Sequence, residues 1–306
     1  MARKECSING IRWVSVHKPT HEDIAFIADL FSFHPFVTES IIAPTLHPLV
    51  EYFKDHLFLI LHFPLIERTQ APNHIVEVDC LITKDTLVTI SYMAFERLET
   101  IFEDAQKNPA IRKQLARKHT DFLLYRIIDR LFQKQLEDLD YLEKEITHIE
   151  NKIFKRDDRL TVEEISHTRK DILDFRRSIN PQTVVLQSFV EKAERFYGKK
   201  SMAPYWSDLL TTEDRIKNLI ENQKETMDVL YQTNDSLLSS RLSRIIAVLT
   251  IFSAVILPLN LISSIWGMNQ RVLPLRDGPF DFWIVVGVMV AVALLLLLFF
   301  RRKLWL

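Results

Sequence analysis

The sequence has few of the residues on which several large functional classes depend. It contains five glycines and two cysteines among 306 residues. It has neither a GxGxxG nor a GxxxxGK[ST] segment, which excludes the common glycine-rich nucleotide loops. The formal net charge of -1 argues against a general nucleic-acid-binding protein. We find no pairing of a nucleophile with a base, so we expect neither an enzyme nor a covalently bound cofactor.

Charged residues are absent from two long stretches near the C-terminus. Residues 245–265 read IIAVLTIFSAVILPLNLISSI, and residues 282–300 read FWIVVGVMVAVALLLLLFF. Each is long enough to cross ~30 Å of hydrocarbon as a helix. A helix in a soluble core rarely stays apolar on every face for this long. The sequence therefore predicts transmembrane helices at 245–268 and 282–300, joined by an external loop, 269–281.

Basic residues flank the two predicted spans on one side. Arg241 and Arg244 precede the first span, and a basic tail, 301–306, follows the second. This bias predicts that both termini lie in the cytoplasm, and we expect an integral protein of the bacterial inner membrane. The opening residues, MARKECSING, lack the apolar run of a secretory signal. We therefore expect the bulk of the chain to stay on the side where it is made.

The remaining residues are predicted to form a cytoplasmic domain, 1–204, whose first part, 1–95, is α/β and whose second part, 96–204, is helical. A helix is expected after Thr20, which is suited to be its N-cap. Apolar and β-branched runs predict strands at Ile11–His17, His56–Ile66, His74–Thr83 and Thr86–Tyr92, the last two joined by a tight turn. A helix of some ten turns follows, and then two more, with Pro181 at the start of the second.

A long helix is predicted to connect this domain to the first span. Neither proline nor glycine occurs between Tyr205 and Leu257. The simplest interpretation is a stalk helix, 205–244, that continues into the membrane. About sixty residues would span roughly 90 Å, and self-association is the expected support for so long a helix.

The first span carries polar residues that fall on one stripe of a helix. Its members recur at spacings of three, four or seven: Ser243, Ile246, Ser253, Leu257, Asn260, Ser264 and Gly267. An asparagine amide in lipid is costly unless it is paired, so Asn260 should face protein or water. The stripe is therefore either a helix–helix contact or the lining of a pore. Two helices cannot enclose a channel, so a pore requires several subunits.

These features resemble those of the CorA family of divalent-cation transporters, which includes the magnesium channel CorA and the zinc transporter ZntB. The resemblance rests on VLTIFSAVILPLNLISSIWGMN (residues 248–269) and FFRRKLWL (residues 299–306). RRSINP (176–181) and YWSDLLTTEDRI (205–216) agree more weakly. The resemblance implies an α+β membrane protein that assembles in the lipid bilayer as a homopentameric funnel. The first span would line the pore and the second would form an outer ring.

The resemblance also implies roles for particular residues. Gly267, Met268 and Asn269 would form the selectivity ring at the outer mouth. The pore would be lined by Ser243, Ile246, Leu249, Ser253, Leu257 and Asn260. Asp208 would belong to a cytoplasmic site that binds a regulatory divalent ion. Its other interpretation is an ordinary N-cap or first-turn acid of a helix, favoured by the helix dipole.

The ion that the resemblance implies is a divalent cation, with magnesium first and cobalt and nickel as further candidates. Magnesium tends to keep several of its waters, which suits amide carbonyls at a pore mouth. A zinc transporter of the ZntB kind is the alternative, although neither span contains histidine or cysteine. The loop QRVLPLRDG departs from the family pattern through Arg271 and Arg276, and a non-conducting scaffold is therefore a third interpretation.

Overall fold

The chain divides into two compact units, Met1–Leu230 and Tyr231–Leu306. The computed structural model describes residues 3–31, 37, 40–66, 74–115, 117, 119–155, 162–198, 200–268 and 280–302.

Six strands of the described residues form one mixed sheet in the first unit. The strands are β1 (Arg3–Ile8), β2 (Ile11–His17), β3 (Leu49–Tyr52), β4 (Leu57–Leu65), β5 (His74–Ile82) and β6 (Thr86–Ser91). Their order is β1-β2-β6-β5-β4-β3. Only the β2–β6 pair is parallel among them, with Trp13 opposite Leu87. The predicted strands are confirmed, and β1 and β3 are additional.

Local turn chemistry explains two of the connections. Asn9 and Gly10 both have positive φ, 52° and 86°, and join β1 to β2. Asparagine followed by glycine is the preferred pair for such a hairpin turn. The helix α1 (His21–Phe31) begins as predicted after Thr20. The Thr20 hydroxyl accepts the Asp23 N–H, and the Asp23 carboxylate accepts the Thr20 N–H, so both donors are satisfied.

Apolar side chains cover both faces of the sheet. On one face, Ile24 and Ile27 of α1 pack against Val14, Phe58 and Val88 of three strands. On the other face lie the helices α2 (Glu96–Lys107), α3 (Pro109–Leu115), α4 (Thr120–Lys155) and α5 (Val162–Tyr197). Aromatic contacts fix this second layer: Trp13 meets Phe102 of α2, and Phe63 meets Phe132 of α4. The fold class predicted for the N-terminal domain is therefore confirmed.

The helix α5 also satisfies backbone groups of β4. The Gln182 amide oxygen accepts the His62 N–H at 2.9 Å, and the Ser178 hydroxyl donates to the His62 carbonyl at 3.0 Å. Strand β3 pairs with β4 only over Leu57–Ile60, so these side chains cover the edge that β3 leaves open.

The prediction that Pro181 starts a helix is wrong, because Pro181 lies inside the single 36-residue helix α5. An interior proline removes one helical hydrogen bond. The lost bond is the one that residue 181 would donate to the Arg177 carbonyl. Ser178 and Gln182, next to these two positions, fasten α5 to the sheet, so tertiary contacts hold the helix through the interruption.

Two apolar helices complete the chain. The helix α6 runs without interruption over Ala203–Gly267 and contains Pro258, and α7 spans Asp281–Arg302. Both are long and apolar enough to cross a membrane. The predicted stalk helix that continues into the first of two C-terminal spans is therefore confirmed.

Candidate functional site

The predicted pore-lining residues all lie on α6 and are all exposed. They are Ser243, Ile246, Leu249, Ser253, Leu257 and Asn260, and Gly267 follows as the last residue of the helix. At 100° per residue, this set covers about one third of the helix circumference. Ile245, Val248 and Phe252, on the opposite side of the helix, are exposed as well, whereas Ile251 is buried. The stripe is thus a continuous surface that this chain does not itself cover.

Three exposed polar side chains of the first span differ in their hydrogen bonds. The Thr250 hydroxyl donates to the Ile246 carbonyl at 2.8 Å, so its hydrogen-bonding need is met locally. Ser253 and Asn260 are exposed on the stripe. A primary amide in hydrocarbon costs free energy unless it is hydrogen-bonded, so the side chain of Asn260 requires water or another polar group beside it.

The proposed outer mouth begins where α6 ends. Gly267 is the last helical residue, and the Met268 N–H donates to the Ile265 carbonyl at 3.3 Å. The Met268 side chain is exposed. Asn269, Arg271 and the rest of the segment up to residue 279 lie outside the described residues.

Asp208 lies on α6 in the first unit. Because α6 begins at Ala203, Asp208 is the sixth residue and lies in the second helical turn. The interpretation of Asp208 as a first-turn acid is therefore wrong. The Tyr125 hydroxyl of α4 donates to Oδ2 of Asp208 at 2.8 Å.

Aromatic packing positions that tyrosine. The Tyr125 ring lies 5.1 Å from the Tyr205 ring and 6.4 Å from the Trp206 ring, measured between centroids. Burial, together with the hydrogen bond to Asp208, raises the pKa of Tyr125 to about 12. Tyr125 therefore stays protonated at neutral pH and donates to a carboxylate that is exposed at the surface of this chain.

Tyr125 contacts Asp208, the candidate regulatory residue, and the sequence did not indicate this contact. It precedes Asp208 by 83 residues, and no motif links the two positions. Within the described ranges, no group of three or more histidine, cysteine, aspartate or glutamate side chains is placed to hold a metal ion. Among the residues that the structure describes, Asp208 therefore belongs to no group of three or more such side chains.

Comparison with known proteins links these observations to one family. The sequence profile described as "CorA-like Mg2+ transporter protein" matches residues 9–302. The chain is 24% identical over 296 residues to the "Cobalt/magnesium transport protein CorA" of Thermotoga maritima, covering 96% of this chain and 83% of that protein.

Solved structures share the fold. The complete structure of the CorA magnesium transporter from Methanocaldococcus jannaschii matches with a TM-score of 0.80 at 22% identity, covering 97% of this chain and 92% of that one. The cytoplasmic domain of ZntB from Vibrio parahaemolyticus matches with a TM-score of 0.61 at 16% identity, covering 76% of this chain and 90% of that domain. At these identities, the structural matches establish the fold.

Proposed function

Because the chain belongs to the family of CorA-like Mg2+ transporter proteins, whose activity is divalent cation transport, we propose that it forms a homopentameric pore for magnesium. The first span of each subunit, on α6, lines the pore, and α7 lies outside it. Cobalt, which the name of the relative from Thermotoga maritima includes, and nickel are further candidate ions.

The observation that carries this proposal is the exposed stripe of α6. Ser253 and Asn260 lie on the same exposed face, and polar side chains are unfavourable where a helix faces lipid. Several copies of α6 facing a common axis would give these groups water and one another. Ile246 and Leu249, both exposed, would then form an apolar constriction that can close by excluding water.

The proposed selectivity ring lies at the end of α6. Five copies of Asn269, next to Gly267 and Met268, would present amide carbonyls to an ion that retains its inner waters. Hydrogen bonds to that hydration shell favour magnesium, which dehydrates reluctantly. The five copies of Arg271 and Arg276 would repel cations at the mouth and so lower the rate of cation entry.

Two further assignments complete the proposal. Asp208 takes part in a cytoplasmic divalent site through which internal ions regulate the pore, supported by its exposed carboxylate. The protein lies in a bacterial inner membrane with both termini in the cytoplasm. This is supported by basic residues on one side of the two apolar spans: Arg241 and Arg244 within α6, before the first span, and Arg301 and Arg302 at the end of α7.

The test is ion flux into liposomes that contain the purified full-length chain and a magnesium-sensitive dye. Wild type should admit magnesium, and Asn269→Ala should lose most of this flux. Gln270→Ala removes the adjacent amide and is the matched control, which should keep the flux. Equal flux in wild type and Asn269→Ala would contradict the selectivity ring.

A zinc-sensitive dye in the same liposomes distinguishes the other ion. Zinc entry without magnesium would place the protein with ZntB in function as well as in fold. No flux of either ion from a folded oligomer would contradict transport and favour a scaffold, with the arginine-bearing loop as the first region to change.

A further inference from the structure

Two acidic side chains are buried together on the face of the sheet that α1 covers. Glu77 and Asp79 are alternate residues of β5, 5% and 0% exposed, and therefore point to the same face. Buried carboxyl groups are rarely tolerated without partners, because the charged form loses its hydration. Each oxygen of the two carboxyl groups is therefore expected to have a hydrogen-bond partner.

One oxygen of each carboxyl group is satisfied. Oε2 of Glu77 accepts the Thr45 backbone N–H at 2.7 Å and lies 3.1 Å from Nε2 of His62. Oδ2 of Asp79 accepts the Tyr92 hydroxyl at 2.7 Å. The other two oxygens, Oε1 of Glu77 and Oδ1 of Asp79, are buried and have no partner of their own in the described part of the chain.

These two unpartnered oxygens belong to carboxyl groups that lie within hydrogen-bonding reach of each other. Two ionised carboxylates cannot satisfy one another, since both only accept hydrogen bonds. A single proton between them would satisfy both oxygens and remove one of two like charges from the interior.

We propose that Glu77 and Asp79 form a proton-binding site, in which Oδ1–H of Asp79 donates to Oε1 of Glu77. Glu77 then accepts from Asp79, Thr45 and His62 at once. Thr45 belongs to the segment 40–48, so the bound proton stabilises the attachment of this segment to the sheet through Glu77.

The surroundings favour a proton over a metal ion. A divalent cation of the magnesium type takes six oxygen ligands, and this pair offers two free ones. Among the described residues, the other titratable groups that contact the pair are His62 on β4 and Tyr92 after β6. The described core residues on this face are otherwise apolar: Ile24 and Ile27 of α1, Val37 and Ile41 before β3, Phe58 and Ile60 of β4, and Val88 and Ile90 of β6. The buried acid of α1, Asp23, is bonded to Thr20 in the helix cap.

The direction of the pH dependence follows from the bound proton. Burial first, and the charge of Glu77 second, raise the pKa of Asp79 well above its ordinary value. The pair therefore holds a proton while segment 40–48 is attached to the sheet, and releases it when the segment detaches. As pH rises from the ordinary aspartate pKa towards the raised one, the equilibrium constant for detachment, here called the opening constant, increases about tenfold per pH unit.

The first test is infrared spectroscopy of the full-length protein at neutral pH, where a neutral carboxylic acid has a carbonyl band distinct from that of carboxylates. We expect one such band in wild type, its loss in Asp79→Asn, and its persistence in Glu77→Gln and in the exposed control Asp55→Asn. Absence of the band in wild type would overturn the proposal, as would a band that persists in Asp79→Asn. A band that disappears on adding magnesium at fixed pH would indicate a cation site instead.

The second test is hydrogen exchange at the Thr45 amide. Asp79→Asn keeps a neutral donor towards Glu77, so its opening constant should lack the tenfold-per-unit rise of wild type. Parallel pH profiles for the two proteins would overturn the link between the proton and segment 40–48.

Discussion

The hydrogen bond between Trp13 and Thr89 offers a clean test of how the two-sided sheet is stabilised. The Trp13 indole N–H donates to the Thr89 hydroxyl at 3.1 Å, and both residues are fully buried. The register explains the contact: Trp13 on β2 stands opposite Leu87 on β6, and Thr89 is the next residue of β6 on the same face. Phe102 packs on the ring at 4.9 Å, so the indole cannot turn to water.

Thr89→Val conserves the shape of the side chain and replaces the hydroxyl, which accepts the Trp13 N–H, with a methyl group. The indole N–H is then buried without a partner, which costs about 1–3 kcal/mol. For a unit of this size, each kcal/mol lowers the melting temperature by about 2–4 °C, so the expected decrease is about 2–12 °C.

Near-ultraviolet circular dichroism of the full-length protein in detergent, followed with temperature, measures this change. Thr86→Val is the matched control, because it makes the same substitution on the same strand, where the hydroxyl meets the exposed Asp85. The control should melt close to wild type. If both variants melt at the same temperature, the buried hydrogen bond does not stabilise the domain and the reasoning fails.

Three further predictions concern transport and reactivity. Asp208→Ala should abolish the inhibition of flux by internal magnesium, measured in liposomes loaded with increasing magnesium; undiminished inhibition would exclude a regulatory role. Replacing Arg271 and Arg276 with glutamine should raise the initial flux at low salt by up to about tenfold and have little effect at high salt, since the effect is electrostatic. Burial raises the pKa of the Cys6 thiol to about 11, so its alkylation at pH 8 should be on the order of 100-fold slower than that of a free thiol and should accelerate up to that pKa; an ordinary rate at pH 8 would contradict its burial.

The elements with strong local signals could be predicted from the sequence. β4 reads as an apolar run that is buried on both faces, and the cap formed by Thr20 and Asp23 marks the start of α1. The absence of proline and glycine from Tyr205 to Leu257 indicates one long helix, and α6 is such a helix. In these places the local preference and the tertiary packing agree.

The elements that escaped prediction depend on partners distant in sequence. β1 is polar and only partly buried, and its best signal is the turn pair Asn9-Gly10 rather than its own residues. The interior position of Pro181 depends on contacts with β4 that lie more than a hundred residues away in sequence. Tyr125 meets Asp208 only because α4 packs beside α6.

If the exposed stripe of α6 lines an aqueous pore, cysteines placed on it should be accessible to water-soluble reagents. Ser253 lies on the stripe, whereas Val255, ~3 Å further along, points to another side of the helix. The native Cys6 and Cys80 should react slowly, because burial raises the pKa of both thiols. A small cationic thiol reagent should block magnesium flux through Ser253→Cys and leave Val255→Cys unaffected. Equal block, or block of Val255→Cys alone, would contradict a pore lined by this stripe.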